Sequence, residues 1–205
     1  MWSMIREGGP LMYLILLCSV VAFTVIIERI ITLSRAKIDV PAFMDKVLDA
    51  VRRNRIMAAI EMCDRTFSPV ASIIKAGLLK QAASRQEIKE AMEEAALVEV
   101  PKLEKNLNIL ATLAHVTPLI GLLGTVTGMI QAFQVIQEKA GALSPVSPGD
   151  LAGGIWEALT TTVGGLSVAI PTLVAYNFLV TKVDSFVINM ERASTELVQV
   201  VKGEK

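Results

Sequence analysis

Three long runs almost empty of charge limit what this chain of 205 residues can fold into. Gly8 to Ile27 is twenty residues without Asp, Glu, Lys or Arg, and Asn106 to Gln137 is thirty-two residues without one. Leu151 to Thr181 is thirty-one residues with a single charge, Glu157. A helix of roughly 20 apolar residues crosses a ~30 Å hydrocarbon core, so each run is long enough to span a membrane. The second and third are long enough to tilt or project beyond it. The first run is preceded by Arg6-Glu7, a poor basic leader, and ends at Glu28-Arg29 without a small-residue cleavage site. It is expected to be an uncleaved span rather than a signal peptide.

Composition fits this only because the charges are segregated. The chain is 53% hydrophobic and 20% charged, with twenty basic and twenty acidic residues and a net charge of zero. Its mean hydropathy of +0.54 is too high for an ordinary soluble domain with that many charges. The zero balance leaves no basic footprint for nucleic acid, and the apolar content excludes disorder. Cys18 and Cys63, with one histidine in the chain, suggest neither a disulfide framework nor a metal site.

Basic residues set the orientation. Only Arg6 precedes the first run, and only Lys139 lies between the second and third. Arg29, Arg35 and Lys37 follow span one, Lys102 and Lys105 precede span two, and Lys182 follows span three. The N-terminus is therefore expected outside and the C-terminus inside. The expected organisation is transmembrane helix 8–27, cytoplasmic helical domain 28–105, transmembrane helix 106–137, external loop 138–150, transmembrane helix 151–181 and cytoplasmic tail 182–205. The fold class is an all-α integral membrane protein that assembles as a helical ring.

Within 28–105, Pro41 suits the first turn of a helix to about Arg53, with further helices over about Met57–Arg65 and from Pro69. Ser84-Arg-Gln-Glu87 reads as a capping box opening another helix. With no glycine-rich break after it, that helix is expected to run on into span two. Gly141, Pro145, Pro148 and Gly149 mark the external connection as a short turn.

Glu157 is the most informative residue in the spans. A charge at the bilayer centre costs about 2.5–3.5 kcal/mol or more, so such a residue usually faces a pore or a partner. The alternative is snorkelling, because Glu157 lies only six residues, ~9 Å, inside Leu151. Small and polar residues form a stripe on each long span: Gly121, Thr125, Gly128 and Ala132 on one, and Ala158, Thr162, Gly165 and Ala169 on the other. Counted inward from Ile136 and Leu151, Thr125 and Thr162 are expected at one depth. The stripes are either a polar lining or the close-packing surface that helices use in lipid. Glu157 shares its row with Thr161, Gly164 and Val168, about 140° from Thr162, so acid and stripe need not face one surface. His115 is either a proton relay or a hydrogen-bonding partner for a helix, and Pro118 and Pro171 are expected to bend their spans.

Pro118-Leu-Ile-Gly-Leu-Leu-Gly-Thr-Val126, with Gly128-Met129 and Phe133, resembles the span-two signature of the MotA/TolQ/ExbB proton-channel family. Gly154-Ile-Trp-Glu-Ala-Leu-Thr-Thr-Thr162, with Gly165-Leu166 and Ala169-Ile-Pro171, resembles its span-three signature. Three spans favour the ExbB/TolQ-like branch over the four-span MotA branch. The resemblance implies a subunit of a proton-motive-force-driven motor in the inner membrane of a Gram-negative-type bacterium, and no enzyme. Five copies would ring the transmembrane helices of a two-copy ExbD/TolR-like partner, whose single span carries an aspartate. Protons would be the coupling ion, with no other cofactor and no metal. The client is left open among TonB-type import, TolA-linked envelope maintenance and motility.

On this resemblance Thr125 and Thr162 are the pore hydroxyls and Glu157 is the family's intramembrane glutamate. Thr161, Gly121, Gly128, Pro118, Gly165, Pro171 and His115 are secondary pore or packing candidates. No phosphate loop or nucleophile set appears in the chain. A non-conducting membrane scaffold, held together by the same small-residue stripes and bathed by membrane lipid, is the alternative.

Overall fold

The computed structural model describes residues 8–141, 145 and 147–203, and every regular element among them is an α-helix. The flank carrying Arg6, and residues 142–144 and 146 of the connection expected to be external, lie outside the described residues. In chain order the helices are α1 (Gly9–Ala36), α2 (Val40–Arg52), α3 (Ile56–Asp64), α4 (Pro69–Leu79), α5 (Arg85–Glu104), α6 (Leu107–Gly141) and α7 (Pro148–Val201). Three of them, α1, α6 and α7, contain stretches long and apolar enough to cross a membrane. The chain divides into two compact units: residues up to Ile27 with Asn106–Asn177, and Glu28–Lys105 with Phe178–Lys205.

In the first unit α1 turns one row inward: Met12, Ile15, Cys18, Ala22 and Val25 are buried at spacings of three and four. Its other faces leave Tyr13, Leu17, Val20 and Phe23 more than half exposed. Leu119, Leu122, Val126, Ile130 and Phe133 of α6 and Trp156, Leu159, Val163, Ile170 and Val174 of α7 are exposed in the same way. So much bare apolar surface is unfavourable in water and ordinary against hydrocarbon or neighbouring helices. Both long helices run unbroken through Pro118 and Pro171. Next to each proline a threonine hydroxyl donates back to its own helix, Thr117 to the carbonyl of Leu113 (2.6 Å) and Thr172 to that of Val168 (2.7 Å).

The second unit follows local start signals closely. Asp39 caps α2 by accepting from the Ala42 amide at 3.1 Å, and Pro41 lies in the first turn. Ser84 and Glu87 form a complete capping box at α5, with Glu87 N–H donating to Ser84 Oγ at 3.2 Å and Ser84 N–H to Glu87 Oε2 at 2.8 Å. The hydrogen bonds from Ser84 hold the Glu87 carboxyl below the usual carboxylate range. The box is therefore intact at and above the ordinary glutamate pKa and is lost as the pH falls through the lowered value. Burial pushes the Cys63 thiol up to about 11, with Asp64 adding to the effect, so the thiol stays protonated and unreactive.

The core of this unit joins Met44, Val47, Ile73, Ile74, Leu78, Ile88 and Met92 to Met190, Ala193, Leu197 and Val198. The last four belong to α7, which continues as helix to Val201. The segment after Thr181, expected as a tail, is thus a packed core element. A Cβ at Gly77 would fall 2.7 Å from Met92 Sδ and 2.9 Å from Leu197 Cδ2, which shows how closely α4, α5 and α7 meet. Lys202 closes the contact by donating to the carbonyls of Gln81 (3.3 Å) and Ala83 (2.5 Å) in the α4–α5 turn. Arg29, 3% exposed, pairs with Glu28 and donates to the carbonyl of Lys102 at 3.3 Å, near the end of α5.

One expectation is corrected here. α5 does not run on into the second long span: Lys105 leaves the helix at ψ 136° and Asn106 takes a left-handed φ of 63° before α6 begins. The break needs no glycine, because asparagine is the non-glycine residue that visits this conformation most readily.

Leu197 is fully buried, so Leu197→Ala is expected to cost about 2–5 kcal/mol. Gln199→Ala, at an exposed position two residues on, is expected to cost less than about 0.5 kcal/mol. Thermal unfolding of the detergent-solubilised protein checks this: equal midpoints for the two variants would mean that the end of α7 is not part of the core.

Candidate functional site

The small residues of α6 and α7 meet in a single seam. On α6 the buried row is Gly121, Gly124, Gly128 and Ala132; on α7 it is Ala158, Thr161, Gly165 and Ala169. A Cβ at Gly128 would lie 2.6 Å from the Gly154 carbonyl oxygen, and one at Gly154 would lie 2.6 Å from the Gly128 carbonyl oxygen. Gly165 stands in the same relation to the Thr117 carbonyl oxygen, at 2.9 Å, and Gly124 abuts the Thr161 side chain. The atoms met at Gly128, Gly154 and Gly165 are backbone, which cannot rotate away. Close backbone approach of this kind is how helices gain dispersion contact in lipid, where no hydrophobic force draws them together.

The seam sets the register. Gly128 faces Gly154 and Ala158, Gly124 faces Thr161, and Gly121 faces Thr162 and Gly165, so α6 and α7 run antiparallel. The Thr162 hydroxyl donates to the Gly121 carbonyl at 3.0 Å and sits 3.3 Å from its own Ala158 carbonyl. Such an interhelical bond is worth about 0.6 kcal/mol on average in a membrane. Thr125 instead donates to its own Leu122 carbonyl at 2.6 Å.

The expectation that Thr125 and Thr162 share one depth is therefore corrected. Thr162 is level with Gly121, and Thr125 lies roughly 5 Å, about one turn, nearer the loop. On each helix it is the neighbour of the expected threonine, Gly124 or Thr161, that enters the buried row. Thr125 and Thr162 occupy its margin and are half-buried. Thr161 is buried and spends its hydroxyl on the Glu157 and Ala158 carbonyls of its own helix, both at 2.9 Å.

Glu157 faces elsewhere, as its place on the helical wheel predicts. Its carboxylate lies against Gly9, the first residue of α1; a Cβ there would fall 1.9 Å from Oε1. Two turns along the same row, Gly164 meets Met12, whose Sδ would be 3.0 Å from a Cβ. Contacts 9 to 157 and 12 to 164 make α1 and α7 parallel. A carboxylate at a helix N-terminus gains about 0.3–1 kcal/mol, up to ~2 where partly buried. For comparison, a charge at the bilayer centre costs roughly 2.5–3.5 kcal/mol.

The remaining candidates are dispersed. His115 is exposed, with Nδ1 2.6 Å from the Ala111 carbonyl of its own helix. Pro118 is half-buried beside the seam, whereas Pro171 is exposed. The structure thus brings together Gly121, Gly128, Gly165, Thr161 and Thr162, and seats Glu157 on α1. It does not bring Thr125 to Thr162, or Glu157 to either. Gly9, Gly124 and Gly154 are the contact residues that sequence reasoning passed over. The 121, 124, 128 spacing carried a signal for Gly124, while Gly9 had none, since its partner is 148 positions away.

Residues 65–192 match the MotA/TolQ/ExbB proton channel family. A putative biopolymer transport protein ExbB homolog of Methanothermobacter thermautotrophicus is 29% identical over 92% of this chain and 66% of its own length. A putative biopolymer transport protein ExbB-like 3 of Synechocystis is 32% identical over 83% of this chain and 80% of its own. The Tol-Pal system protein TolQ of Pseudomonas aeruginosa is 30% identical over 86% and 81%.

Glycine contacts make the seam testable. Gly154→Ala is expected to lose about 1–3 kcal/mol through overpacking against backbone. Gly153→Ala meets nothing within 4 Å and is expected to be neutral or to gain up to ~1 kcal/mol in helix propensity. Unfolding midpoints of the two variants that move together would contradict the register described.

Proposed function

The chain belongs to the MotA/TolQ/ExbB proton channel family, in its ExbB/TolQ-like branch, and on that premise we propose that it is a ring-forming subunit of an inner-membrane motor driven by the proton motive force. Five copies surround the transmembrane helices of an ExbD/TolR-like partner and couple proton flow to work in the envelope. The partner's aspartate carries the proton. This chain lacks one to offer, since none of the three long apolar runs contains an aspartate.

The observation that carries this reading is the placement of Thr125 and Thr162. Both stand half-buried at the edge of a dry glycine seam, one turn apart. A hydroxyl bonded to a backbone carbonyl through its proton keeps lone pairs free to accept from water or from a protonated carboxyl. In a ring, the two threonines of each copy give two stacked circles of acceptors around the partner helices. Glu157, near the loop end of α7, governs access from the external side. The helices of the second unit support assembly of the ring on the cytoplasmic side. The envelope task this coupling serves is import energisation, envelope maintenance or motility.

A non-conducting scaffold would use the same seam for packing alone and would carry no current. Proton flux into vesicles containing the chain and its partner separates the two. Thr162→Val is expected to lower flux several-fold, the scale of losing one neutral hydrogen bond of ~0.5–1.5 kcal/mol, and Thr162→Ser to restore it. Unchanged flux in Thr162→Val and Glu157→Ala rings that still assemble would remove both residues from the pathway.

A further inference from the structure

We propose that Gly9 is a positioning residue for Glu157: its bare Cα at the start of α1 is the seat on which the intramembrane carboxylate rests. Gly9 has a φ of +63°, so its backbone already disfavours any residue with a Cβ. Space forbids one too, because a Cβ would lie 1.9 Å from Glu157 Oε1 and 2.8 Å from Cδ. The obstructing atoms are the free end of a flexible side chain. A side chain at position 9 therefore moves the carboxylate and leaves the helices in place.

The place of the seat suits an anion. The first-turn amides of a helix have no partner within the helix, and the dipole there is positive. Pro10, the next residue, has no N–H and adds no donor, so the contact rests on Gly9. The second contact, Met12 on Gly164, holds α1 along the same row of α7 two turns further on. Glu157 is thus anchored to the first span, on a different face from the one that Thr162 turns to α6. The inference relies on the proposed function only for what displacing Glu157 does to proton flow; the seat itself does not depend on it.

Labelling of Glu157 in the membrane-embedded chain by dicyclohexylcarbodiimide, read as the mass gain of its peptide, tests the seat directly. Glu157→Gln identifies the signal. The seated carboxylate reacts slowly, and Gly9→Ala and Gly9→Asn are both expected to speed labelling several-fold. Asparagine tolerates a positive φ and alanine does not, so acceleration in Gly9→Ala alone would assign Gly9 to backbone conformation and overturn the seat. Equal rates in all three proteins would overturn it as well. Gly9→Asn decides the matter should Gly9→Ala fail to accumulate. Flux with the partner is the second arm: a several-fold loss in Gly9→Asn extends the seat to function. Faster labelling with unchanged flux keeps the seat and removes the access role given to Glu157.

Discussion

Backbone-to-backbone contact between α6 and α7 is the constraint on which the membrane unit depends. Gly128 and Gly154 approach so closely that neither tolerates a Cβ without displacing the other's carbonyl. In hydrocarbon, two helices gain nothing by hiding leucines from each other, since lipid tails are equally apolar. The attraction must come from dispersion at short range, and glycine supplies the short range. Once the seam is set, the antiparallel register, the bond from Thr162 to Gly121 and the marginal position of Thr125 all follow. Thr125 and Thr162 avoid the dry contact because Gly124 and Thr161 fill it, which leaves two hydroxyls at its edge.

The second unit is held together by different physics. Its core is an ordinary hydrophobic one in which large side chains such as Met44, Ile74, Ile88 and Leu197 are fully or nearly fully buried. What is unusual is where the pieces come from. α7 supplies the small-residue row of the first unit near Gly154 and Ala158, and the large-residue row of the second near Met190 and Leu197. One 54-residue helix thus changes its mode of packing from close backbone approach to side-chain burial along its length.

Much of this was legible before any coordinates. Runs almost empty of charge announced three long helices, and Pro41, Pro69 and the Ser84–Glu87 box announced where shorter ones begin. These are local signals: a cap satisfies amides within four residues of itself, so its meaning does not depend on the rest of the fold. The seam was legible as a class of residue and illegible as a register. Thr125 and Gly124 differ by one position, and choosing between them means knowing the rotation of each helix about its axis. Asn106 was missed because a break was sought at glycine.

The sequence by itself determined that this is an all-helical chain of the proton-channel family with three stretches long and apolar enough to cross a membrane. Hydrocarbon excludes charge and demands satisfied backbone, and those two requirements are written residue by residue. Only the tertiary structure decided that Glu157 rests on Gly9, that Thr162 bonds Gly121 and stands a turn away from Thr125, and that residues 190–198 belong to a core. Each of these depends on contacts between residues far apart in the chain, and no local pattern records which far residue a helix face will meet.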